Sequence, residues 1–182
     1  MSTPDPWHTL RRHTAARIAL GRTGASLPTA EWLRFSLAMA QARDAVHRLF
    51  DADALADGLI AHGFAEPLRL SSAAEDRATY LRRPDLGRRL AEASAAQLDA
   101  RPRTRCDLAV VVGDGLAPQA AEQHSLPLLL ELRARLEAEG VVIGLVALAR
   151  QCRVALGDDV GARVGAGAVL MLLGERPGLS SL

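Results

Sequence analysis

The chain has 182 residues and a formal net charge of +1, with 49% hydrophobic and 24% charged residues. That balance excludes wholesale disorder and an overall field that would gather nucleic acid or a membrane surface. Its basic residues are all Arg, and with only 3% aromatic residues the core must be built from Leu, Val and Ala.

The length suits one large domain, or a domain with an extension. Cys106 and Cys152 lie far apart without metal-ligand spacing, which reads as a reduced, cytoplasmic setting. The start, MSTPDPWHTLRRHTAARIAL, is amphipathic and lacks the continuous apolar stretch of a signal peptide. No run reaches the ~18 apolar residues of a membrane span.

The first half reads as helical. Asp5 is placed to cap a first helix through Leu10, Ala16, Ile18 and Leu20 that breaks at Gly21 and Gly24. Pro28 opens a long helix over about 29–50, with a broad apolar stripe of Trp32, Leu33, Phe35, Leu37, Ala40, Val46 and Leu49. Asp51 caps a short helix that ends at Gly63. FAEPLRL reads as an edge strand, because Pro67 removes a ladder donor. EDRATYLRRPDLGRRLAEASAAQL reads as two helical pieces divided at Pro84.

The second half changes character. DLAVVV, VVIGLVAL and AVLMLL are continuous apolar runs. Between the first two lies a helix over about 118–139, and a loop and short helix precede the third. Buried strands alternating with helices predict a parallel sheet covered on both faces. The reading is therefore an α/β chain: an N-terminal helical region (1–104) followed by a partial Rossmann-like parallel sheet (105–182).

Four stretches carry candidate chemistry. In VVVGDGLAP, the turn before a helix start suits an anion, but Pro118 stands where a dinucleotide fingerprint wants its third glycine. Asp114, read as exposed there, is open to a structural or a ligand-facing role. In ARQCRVALGDDVG, Arg150 and Arg153 have the forked geometry to clamp a phosphate, and Asp158 reads as a helix N-cap rather than half of a metal site. The histidines show no paired helical spacing, and Cys106 reads as a small core residue. The arginine-rich start, RRHTAARIALGRTGASLPT, reads as a solvated helix face rather than a nucleic-acid site.

Taken in order, TAARIALGRTGASLPT, ARDAVH, DRATYLRRPDLGRRL, DGL after a β run, RVALGDDVG and GERPGLSS resemble the small subunit of ethanolamine ammonia-lyase from Asp5 to Ser181. The resemblance implies a partner to a larger barrel subunit. It implies adenosylcobalamin held at the interface between them and conversion of ethanolamine to acetaldehyde and ammonia. It implies that substrate and most catalytic residues belong to the large subunit, so no catalytic residue is assigned to this chain; its charge and apolar runs already leave no membrane and no nucleic acid as partner. It extends the cytoplasmic setting to a bacterial microcompartment.

Two cofactor contacts carry over by motif: Val154 from RVALGD and Glu175 from GERPGL. Three departures stand out. Cys152 replaces a glycine, with a Cβ that is expected to crowd the cofactor or restrict its loop. Pro118 alters the motif after DGL. The family continues past GERPGLSS into a cysteine-bearing CISNI-like segment and a final helix, whereas this sequence stops at Leu182, which reads as a truncation. Two other readings remain: an NADP-binding Rossmann-like oxidoreductase with Arg150 on the 2′-phosphate, and a cofactor-free interaction module.

Overall fold

The structure is a computed structural model and describes residues 5–177. Four strands make one all-parallel sheet: β1 (Leu68–Ser71), β2 (Leu108–Gly113), β3 (Ile143–Arg150) and β4 (Ala168–Leu173). Their spatial order is β1-β3-β2-β4. The three apolar runs become the three longer strands, and the short strand after Pro67 lies at the sheet edge, as read from the sequence.

Alternation along the strands sorts side chains to two faces. Val110 and Val112 of β2, with Val146 and Leu148 of β3, meet α2 (Ala52–Ala61) and α5 (Pro118–Ala138) through Leu55, Ala56, Leu59, Ala121 and Leu129. On the other face, Ala109, Val111, Leu145, Ala147 and Ala149 meet Leu98 of α4 (Glu92–Asp99) and Leu156 and Val160 of α6 (Leu156–Val164). The helix after β2 and the helix after β3 therefore cover opposite faces. This doubly covered α/β layer is compatible with a Rossmann-like arrangement.

The cap and breaker signals in the middle of the chain hold. Asp51 Oδ1 accepts the Ala54 N–H at 3.0 Å and starts α2, and Gly63 follows its end at φ +78°. Pro118 occupies the first turn of α5, where its missing donor is not needed. Pro84 ends α3 (Arg77–Arg82). The piece after it is itself divided into a 3-10 turn at Leu86–Arg88 and α4, because Leu90 runs extended to bridge Ser72.

Two expectations fail. The first helix is only a 3-10 turn over His8–His13, with no buried residue; Asp5 accepts the Trp7 N–H at 2.8 Å instead of capping a longer element. Without an apolar face packed on the body, an isolated helix of that length is not held. The second departure is α1 (Thr29–His47), which stops before Arg48 and buries only Ala38. Of the expected stripe, Trp32, Leu33, Phe35, Leu37 and Leu49 are exposed rather than turned into the core, and Met39 is exposed with them.

Adjacent leucines of α5 give a test of this packing. Leu129 is fully buried and Leu128 is exposed. Leu129→Ala should cost about 2–5 kcal/mol in denaturant unfolding, whereas Leu128→Ala should stay within about 0.5 kcal/mol. Equal losses at both positions would contradict the face assignment.

Candidate functional site

In an open parallel sheet, ligands meet the loops beyond the carboxyl ends of the strands, where successive helices pass to opposite faces. Here that place lies between β2 and β3. The loop from β2 to α5 begins at Asp114, and the loop from β3 to α6 begins at Gln151.

Asp114 does not project into solvent. It is 4% exposed, and its carboxylate accepts the Gln151 N–H at 2.8 Å and the Cys152 N–H at 3.1 Å. Arg77, at the start of α3, donates to it from Nη1 at 3.2 Å. Arg77 also donates from Nε to Val46 O at 2.6 Å, which brings in the end of α1. Burial pushes the Asp114 carboxyl above the usual carboxylate range, against the pull of the two amides and the Arg77 guanidinium. The residue is a structural clamp between the β2 and β3 loops.

Cys152 is fully buried, with its sulfur in the space beside Gly113, where any Cβ would collide with it. Its side chain therefore points under the sheet end and does not crowd the crevice. The preceding residue, Gln151, takes the left-handed conformation at φ +56°, so the loop is tightly restricted. Burial drives the Cys152 thiol well above its ordinary range, and Asp114 adds to this.

Tyr80 fills the space behind that loop. Its hydroxyl donates to Cys152 O at 3.1 Å. The Arg77 and Arg153 guanidinium groups lie over its ring, at 4.8 and 4.7 Å from the centroid. Arg153 N–H in turn bonds Gly87 O at 2.8 Å, and a Cβ on Gly87 would meet Arg153 Cγ at 2.9 Å. The Arg77–Tyr80–Arg153 stack was not legible as a unit. The spacing of Arg77 and Tyr80 on one helical turn was its only local signal.

The turn at the start of α5 is also closed. Leu116 and Ala117 N–H groups donate to Gly174 O at 2.7 and 2.8 Å. These amides are spent on the loop after β4, so the G-D-G turn does not offer them to a pyrophosphate, and the dinucleotide reading loses its physical basis. Arg150 is exposed at the end of β3, and its carbonyl accepts the Ser72 N–H.

The N-cap expectation for Asp158 is corrected: Ala155 holds that position, and Asp158 is exposed in the first turn of α6. Its neighbour Asp159 accepts the Leu90 N–H at 3.2 Å and pairs with Arg163 at 2.9 Å.

The carried-over contacts come to the same end of the sheet. Val154, 61% exposed, stands on the loop after β3. Glu175, also exposed, follows Gly174 on the loop after β4. Because β3 and β4 flank β2, the two residues sit on loops either side of the Asp114 turn. Pro177 is the last described residue, so the remainder of GERPGLSS lies outside the described residues.

Two variants test the clamp. Asp114→Asn should destabilise the chain by about 3 kcal/mol, because it leaves the largely buried Arg77 charge uncompensated; adding Arg77→Met should recover part of that loss, which a double-mutant unfolding cycle reads. Thiol labelling gives an independent check. Cys152 should resist a disulfide reagent until the chain unfolds, while the half-buried Cys106 reacts first. Rapid native-state labelling of Cys152 would refute the closed loop.

The model of a protein family described as ethanolamine ammonia-lyase light chain matches residues 4–182. The chain is similar to the ethanolamine ammonia-lyase small subunit of Azotobacter vinelandii, 54% identical over 99% of this chain and 67% of that protein. It is similar to the small subunits of Pseudomonas putida W619, 52% identical over 98% of this chain, and Pseudomonas fluorescens SBW25, 51% identical over the whole chain. It covers 67% and 66% of those two proteins.

Proposed function

The chain belongs to the ethanolamine ammonia-lyase light-chain family and is a lyase subunit, and from that premise we propose that it holds adenosylcobalamin against the enzyme's large subunit. The match across residues 4–182 carries this reading. When bound, that cofactor supplies a cobalt–carbon bond whose homolysis begins radical chemistry on ethanolamine.

The residues at the crevice fit such a group. Val154 offers an exposed apolar surface on a loop fixed from behind by Asp114 and Tyr80. Glu175 offers an exposed carboxylate that accepts hydrogen bonds from peripheral amides or a ribose hydroxyl. Both are cofactor contacts in this reading, and the chain's work is binding and orientation. The exposed apolar stripe of α1 supports docking of the large subunit, since Trp, Leu, Phe and Met are the residues that anchor protein interfaces. A nicotinamide enzyme is not favoured, given the closed turn at the start of α5.

The test is reconstitution with the large subunit and adenosylcobalamin, read by co-elution and by the visible absorbance of the corrin. Formation of a complex with a cobalamin-dependent spectral change is expected. Glu175→Ala and Val154→Asp should each weaken cobalamin binding about tenfold, on the scale of one lost hydrogen bond to a charged group or one polar intrusion. Neither should change the melting temperature, since both side chains are exposed. Absence of both complex and spectral change would refute the proposal.

A further inference from the structure

Arg153 is held in place on the loop after β3. Its backbone is fixed by Gly87 O, and its guanidinium lies over the Tyr80 ring at 4.7 Å. Yet among the described residues that guanidinium enters no ion pair and no hydrogen bond, and Nε is buried without a partner. Arg77, on the same ring, is neutralised by Asp114. A partly buried cation without a counter-charge is costly, and a planar, immobilised fork is suited to an oxyanion.

The position of the fork narrows the class of anion. Arg153 immediately precedes Val154, on the loop that opens at the carboxyl end of β3. The nucleotide tail of a cobalamin carries one phosphodiester, its only fixed negative charge. We propose that Arg153 binds that phosphodiester, with Tyr80 and Gly87 holding the guanidinium in place. The inference rests on the cofactor reading above. It gives this chain recognition of the nucleotide tail in addition to contact with the corrin.

The experiment measures the affinity of the reconstituted two-subunit complex for two probes by absorbance titration. Adenosylcobalamin carries the nucleotide tail and its phosphodiester; adenosylcobinamide lacks both. Arg153→Gln should weaken adenosylcobalamin binding by about ten- to a hundredfold, the range for a lost charge-assisted hydrogen bond to phosphate. Cobinamide affinity should be unchanged, which also shows that the loop remains folded. Arg153→Lys, which keeps the charge but not the fork, should lie between the wild type and Arg153→Gln.

Equal weakening of both probes would overturn the inference, because Arg153 would then only shape the loop. Unchanged affinity for both, with weaker binding of the large subunit, would overturn it in favour of a partner carboxylate. If the wild-type complex bound neither probe, the cofactor reading would fall and this inference with it. That outcome is distinct from a selective failure at Arg153.

Discussion

A single carboxylate holds the carboxyl end of the sheet together. Asp114 is largely removed from water, so its charge must be met inside the protein, and the two backbone amides after β3 and the Arg77 guanidinium meet it. The amides and the guanidinium come from different parts of the chain. Arg77 in turn reaches Val46 O and the Tyr80 ring. Thus one ionised group ties together β2, the β3–α6 loop, the start of α3 and the end of α1. A parallel sheet otherwise leaves its strand-end loops independent; here they are cross-braced, and Val154 is presented from a loop with little freedom.

The sheet was legible because its information is local. DLAVVV, VVIGLVAL and AVLMLL are continuous and rich in branched residues, and only a strand covered on both faces wants such a sequence. Strand β1 was legible in kind, through Pro67, but its neighbour was not. Pairing with β3 rather than β2 depends on residues far along the chain. The N-terminal segment misled for the opposite reason: its capping residues and apolar spacing are real, but none of its described residues is buried, so the periodicity does not find a core. The stripe of α1 is the same case in a longer helix, where periodicity shows that a face exists without showing what covers it.

The site divides along the same line. A G-D-G turn viewed locally reads as exposed, and nothing near Asp114 reports that Gln151 and Cys152 will close over it. The consequence of Cys152 depends equally on Gly113, which vacates the space its sulfur takes. Val154 and Glu175 stood out only through motif resemblance, since an exposed valine and an exposed glutamate carry no chemical signature of their own. Arg153 was legible as an anion clamp by residue type. Its lack of a counter-charge among the described residues became visible only in three dimensions.

The strand order bears on the chain's emergence from the ribosome. Strand β1 hydrogen-bonds to β3 and has no contact with β2 in the sheet, so its edge stays unsatisfied until about eighty further residues have been made. The Asp114 clamp has the same dependence, because its amide donors immediately follow β3. Long-range parallel pairing of this kind is intrinsically slow. The loop bearing Arg153 and Val154 therefore takes its shape only once the sheet has closed, so a partner that recognises that loop also selects chains that have finished folding.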